Sequence, residues 1–142
     1  MARVTVRWSD LEDSFHYASA EGIGMNRAWL SLDTGKFHWY SELGDNFEEL
    51  PDDIGDESRY AQVPHKNELD LGRRLVFCFV QEQAPELMDD VEDIFRRRGA
   101  YGRFKDLLDD MNQLQQWYAY EEKATRAALR AWCDENAVGL ED

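Results

Sequence analysis

Cysteine is scarce in this chain, and the two present, Cys78 and Cys133, lie far apart and follow no paired spacing. That pattern excludes a disulfide framework and fits reduced thiols in a cytoplasmic protein, packed as buried or half-buried small hydrophobes. Three histidines, His16, His38 and His65, belong to no metal or nucleophile motif, although Glu12 and His16 would be neighbours on a helix. Neither cysteine has a histidine close by in sequence, so no catalytic thiol signature is present. Long apolar runs are missing too. The longest, Leu75 to Val80, is far shorter than the roughly 20 residues a membrane-spanning helix requires. The N-terminus lacks the apolar stretch and cleavage pattern of a signal peptide. No glycine spacing matches a phosphate-binding P-loop or a dinucleotide fingerprint, and the acidic residues do not alternate as in a calcium-binding EF-hand loop. The expectation is a cytoplasmic protein with no cofactor, no metal and no membrane segment.

Positive charge is the other shortage. Lys and Arg number 16 against 30 Asp and Glu, a formal net charge of −14 over 142 residues. Such an excess repels nucleic acid and anionic membranes from the surface as a whole, a local basic patch excepted. What the chain does have is core material, 43% hydrophobic and 13% aromatic residues, which argues against disorder. A chain of this length buries roughly two thirds of its unfolded surface as one unit. Residues 1–142 therefore read as a single domain.

Local patterns fill in an α+β reading. Ser9 followed three residues later by Glu12 has the form of a capping box, and Leu11, Phe15 and Ala18 recur at helical spacing up to Ala20. Two β-like runs flank Asp33-Thr34-Gly35, predicting a hairpin over about 27–41. Residues 41–58 are crowded with carboxylates, carry only Leu43, Phe47, Leu50 and Ile54 as apolar anchors, and read as a solvated, mobile acidic loop. A third strand over about 59–63 stops at Pro64, which cannot donate to a ladder. The sheet should be small and antiparallel, since no strand–helix–strand alternation points to a parallel one.

Beyond Lys66 the chain reads as all helical. Leu71, Leu75, Val76, Phe79 and Val80 fit one helical face, Pro85 opens a second helix that Gly99 ends, and Phe104 to Met111 form a third. A final helix over about 113–136 places Leu114, Trp117, Ala124, Ala128, Ala131 and Trp132 on one side. Glu121 falls inside that stripe, where an ionised carboxylate calls for a cationic partner, Arg98 or Arg103.

Function is concentrated in no single motif. The basic junction 96–105 is the sharpest feature, with Arg97, Arg98, Arg103 and Lys105 around Gly99 and Gly102. One reading is an anion site for phosphate, nucleotide or RNA, with glycine N–H groups facing the ligand and Tyr118 or Tyr120 offering rings for stacking. The other is structural, with arginines complementing a helix C-terminus, Gly99 stopping the helix, and Arg103 pairing with Glu121 or nearby aspartates. Rings such as Trp29, Trp39, Tyr60 and Trp117 could also line a groove.

The segments Arg98-Gly99-Ala100-Tyr101, Arg103-Phe104-Lys105-Asp106, Trp117-Tyr118-Ala119-Tyr120 and Ala131-Trp132 carry a resemblance. Together with Leu32-Asp33-Thr34-Gly35 and Arg59-Tyr60-Ala61-Gln62-Val63-Pro64, they make the chain similar to the bacterial uncharacterised-protein family UPF-zero-one-five-eight. The resemblance implies an N-terminal helix, a hairpin, an acidic middle and a helical tail, and no established activity. The leading expectation is a non-enzymatic, cytoplasmic protein-binding or regulatory module that uses its acidic surface and aromatic residues. The alternative is a phosphate, nucleotide or RNA ligand at the junction, and an enzyme without a recognisable motif is the third.

Overall fold

The computed structural model describes residues 2–141. Its elements are β1 (Val4–Arg7), α1 (Trp8–Ser19), β2 (Asn26–Ser31), β3 (Phe37–Ser41), β4 (Tyr60–Gln62), α2 (Arg73–Gln83), α3 (Met88–Ile94), α4 (Ala100–Asp110), α5 (Leu114–Glu135) and β5 (Val138–Glu141). The fold is α+β with a three-stranded antiparallel sheet and a helical C-terminal half, as the patterning predicts. The described backbone gathers into two compact units, one of residues 2–69 with 128–141 and one of residues 70–127.

In the first unit β2 sits between β3 and β4, antiparallel to both. Its Ala28, Trp29, Leu30 and Ser31 are all buried, so both faces of this strand are covered. The hairpin turns where Asp33-Thr34-Gly35 predicts it. Gly35 takes φ +80, and a Cβ there would lie 3.0 Å from Val4 Cγ2, so the turn needs glycine for its backbone and for its close approach to β1. Helix α1 packs on β2 and β3 with Leu11, Ser14, Phe15 and Ala18 inward. The expected capping box does not form. Arg7, extended at ψ 141, feeds β1 straight into the helix one residue before Ser9, and no side chain caps it.

A parallel pairing of β1 with β5 stands against the expectation of a purely antiparallel protein. It joins the two ends of the chain, Val4 opposite Val138 and Val6 opposite Leu140. Strands of four residues carry too little alternation to be read, and their partner lies more than a hundred residues away. Gly139 allows the approach, since a Cβ on it would meet Thr5 Oγ1 at 2.8 Å and Ala2 Cβ at 3.2 Å.

Loop 42–59 is solvated as expected, yet stitched to the sheet. Asp53 accepts from Arg59 at 2.9 Å and from the Tyr60 hydroxyl at 3.0 Å. Arg3 reaches the Ser58 carbonyl at 2.7 Å and pairs with Asp33. After β4, His65 is buried in a network: its Nε2 meets the Glu21 carbonyl at 2.7 Å and its Nδ1 accepts the Asn67 N–H at 3.0 Å.

The second unit is built on rings. Trp117 meets Phe79 and Phe104 edge to face at 5.4 and 5.2 Å between centroids, and Phe95 meets Phe104 at 6.0 Å. Such contacts add to the area these rings bury. The run Leu75 to Val80 is helical, with Leu75, Val76, Phe79 and Val80 inward. Cys78 is therefore exposed rather than buried, because those four residues take the inner face of α2. Along α5 the buried residues of this unit are Trp117 and Thr125; the last turns, which belong to the first unit, bury Leu129, Trp132 and Cys133 and leave Ala131 exposed. The expected alanine stripe is thus rotated, since alanine favours helix without marking a face.

Gly139→Ala is expected to cost about 1–3 kcal/mol through overpacking against Thr5. Thr5→Ala in the same chain should recover part of that loss, read as coupling in urea denaturation of the single and double variants; purely additive losses would refute the contact. The Arg59 and Tyr60 hydrogen bonds hold the Asp53 carboxyl below its usual range. A depressed folded pKa stabilises above the unfolded value, near 4, and the gain is lost as pH falls through the folded one. Asp53→Asn should lower the urea midpoint at pH 7 and shrink the further loss below about pH 4; an unchanged acid limb would contradict the assignment.

Candidate functional site

The predicted junction lies in the second unit. Arg96, Arg97 and Arg98 follow the end of α3, where backbone N–H groups still bond back in turns, Arg97 N to Ile94 O at 3.2 Å. Cations there complement the helix C-terminus. Gly99 takes φ +71 and stands at the N-cap of α4, whereas the helix it was expected to end stops earlier, α3 closing at Ile94. Arg97, Arg98, Gly99, Gly102, Arg103 and Lys105 are all exposed. Lys105 lies 5.8 Å from the ring of Tyr118, which is exposed beside it. Tyr120 belongs elsewhere: it packs on Phe79 at 5.3 Å and donates to Glu82, and burial followed by that bond pushes its hydroxyl up to about 12.

The brace from Glu121 to Arg98 or Arg103 does not form. Among the described residues no ion pair includes any of the three. Glu121 is half-buried, so water reaches its carboxylate and no cation is required to offset burial. Its charge is felt by Tyr101, whose hydroxyl is raised first by burial and held up by Glu121. The junction's arginines are therefore exposed cations without carboxylate partners.

A second feature, a groove of about 660 Å³, lies wholly in the first unit. Helix α1 supplies Asp10, Asp13, Ser14 and Tyr17 at spacings of three, four and seven, which one helical face permits. The hairpin supplies Lys36, Phe37 and Trp39, and the acidic loop supplies Asp45, Asn46, Phe47 and Glu48.

Trp39 is the fixed point of this groove. Its indole N–H donates to Ser14 Oγ at 2.8 Å, and its ring stacks on Tyr17 at 4.5 Å with 14° between planes. Even so it remains 42% exposed, and Phe47 is wholly exposed. Four carboxylates and one lysine line the groove, and that lysine, Lys36, is already paired with Glu48 at 3.2 Å. Asp10, Asp13 and Asp45 take part in no ion pair among the described residues. The four carboxylates do not gather into a cluster able to hold a metal ion among the described residues. The arrangement is an aromatic floor under a diffuse negative field, suited to a cation carried on an apolar stem.

Reactive side chains stand apart from this groove. His16 is exposed on α1, His65 is locked in its hydrogen-bond network, and His38 faces Tyr60 edge-on at 5.9 Å. Burial, then the nearby Lys36, holds the His38 imidazole below its usual range. Cys133 is buried and its thiol pushed up to about 11, which leaves little thiolate at neutral pH.

Sequence reasoning named Trp39 among the rings able to line a groove but missed Asp10, Asp13 and Tyr17. Their spacing of three and seven on a predicted helix was available as a signal. That the hairpin and acidic loop close over that face was not. Comparison with protein families, with curated proteins and with solved structures finds no match to this chain.

Proposed function

We propose that the chain is a non-enzymatic protein-binding module that seats a cationic segment of a partner protein in the groove between α1 and the β2–β3 hairpin. The observation that carries this reading is the anchored yet exposed Trp39, ringed by Asp10, Asp13, Asp45 and Glu48 with Lys36 already neutralised. Charge complementarity of this kind speeds encounter and selects the partner, while the exposed ring, covered on binding, supplies contact area. An enzymatic role has less support, because no histidine or cysteine lines the groove. A cytoplasmic location and kinship with the uncharacterised bacterial family belong to the same proposal, resting on free thiols and on the motif residues respectively.

The test is titration of the full chain with a short arginine- and lysine-containing peptide, followed by calorimetry at several salt concentrations. Binding should weaken as salt rises, and Asp10→Asn with Asp13→Asn should reduce affinity several-fold. Trp39→Ala should reduce it about tenfold or more. Asp89→Asn with Asp90→Asn, exposed acids outside the groove, should match the native chain apart from a small change in net charge. No binding at low salt, or equal losses in the groove and control variants, would defeat the reading.

A second reading is favoured by one observation: the exposed cations Arg96, Arg97, Arg98, Arg103 and Lys105, none of them in an ion pair among the described residues, with Lys105 beside exposed Tyr118. They suit a phosphate-bearing ligand such as a short RNA. Arg98→Ala with Arg103→Ala should then reduce both RNA affinity and the steepness of its salt dependence, measured by fluorescence anisotropy. Unchanged binding in the variant would exclude this reading.

A further inference from the structure

We infer that the groove reads an arginine side chain in particular, clasped between the rings of Trp39 and Phe47 with its donors turned to the carboxylates of α1. This inference rests on the groove being the binding site. Tyr17 covers one face of Trp39 and Ser14 holds its indole N–H, so the remaining exposed ring surface is a pre-set platform. A guanidinium is planar and lies flat on such a ring while its five N–H donors stay free at the edges. An ammonium has no plane to stack and holds its hydration more tightly.

The carboxylate spacing fits the same shape. Asp10 and Asp13 stand three residues apart on α1, which places their Cβ atoms about 5–6 Å from each other. A fork with donors on two edges can serve both, whereas a single ammonium meets one of them well. Phe47 supplies what Trp39 lacks, a second ring. It is wholly exposed and makes no ring contact among the described residues, yet it lines the groove. Closing on a guanidinium and its stem would remove that apolar surface from water.

The hairpin already carries this arrangement on its other face. Arg27 lies 5.4 Å from the ring of Trp29 and 5.3 Å from that of Tyr40, and its guanidinium pairs with Glu42. Arg27 and Tyr40 are cross-strand partners, while Trp39, one residue earlier, points to the opposite side. One arginine, two rings and a carboxylate thus form a stable unit on this hairpin. The groove presents two rings and unpaired carboxylates without the arginine.

Three peptides of identical flanking sequence, with arginine, lysine or uncharged citrulline at the central position, separate the possibilities by calorimetry with the full chain. Arginine should bind about tenfold tighter than lysine, and citrulline more weakly than arginine. Phe47→Ala, which removes an exposed side chain on which the fold does not depend, should collapse the arginine preference while leaving weak charge-driven binding. Trp39→Ala should do the same, with circular dichroism confirming that the chain is folded. Equal or tighter binding of lysine, or a preference that survives Phe47→Ala, overturns the arginine inference but leaves the groove as a cation site. Failure of both charged peptides to bind at low salt overturns the groove itself.

Discussion

Strand β2 carries two antiparallel ladders at once and buries side chains on both faces, and the first unit depends on that double commitment. A strand in this position must satisfy its backbone on both edges, so neither β3 nor β4 is dispensable. Alternation along the hairpin then assigns the outcomes. Residues paired with Ala28 and Leu30, namely Trp39 and Phe37, face the side on which α1 packs, and those paired with Arg27 and Trp29 face away. A slip of one residue would exchange the two sets and dismantle the groove.

The binding proposed for the groove rests on how Trp39 is held. An exposed indole on a loop would lose much of its contact energy to ordering on binding. Here Ser14 and Tyr17 have already ordered it within the folded protein. The acidic excess acts differently at different places. Around loop 42–59, Asp53 and Asp33 are absorbed by Arg59 and Arg3 and serve the fold. In the groove, Asp10, Asp13 and Asp45 keep their charge available. Some carboxylates are thus held in structural pairs, while those of the groove stay open to solvent.

Much of the fold was legible because it is local. The 3.6-residue recurrence of Leu11, Phe15 and Ala18 and the turn at Gly35 each depend on a few neighbouring residues. The β1–β5 pairing was not legible, because it joins two four-residue segments more than a hundred residues apart in the chain. The candidate site was partly legible. Trp39 stood out as an aromatic, but its anchoring by Ser14 spans 25 positions, and a serine on the inner face of α1 looks like any small core residue. The junction around Gly99 was the most conspicuous feature of the sequence, yet its expected partner Glu121 is half-solvated and pairs with none of its arginines.

The sequence by itself determined the helical and hairpin segments, the acidic balance and the presence of a cationic stretch, since periodicity, turn chemistry and charge are properties of short windows. Only the tertiary structure decided which carboxylates are neutralised and which remain open, and which tryptophan is core and which is platform. Those outcomes depend on distances between side chains on separate elements. Asp53 and Asp13 are the same residue type in equally acidic surroundings, and only the fold places Arg59 against the first and sets the second in the wall of the groove.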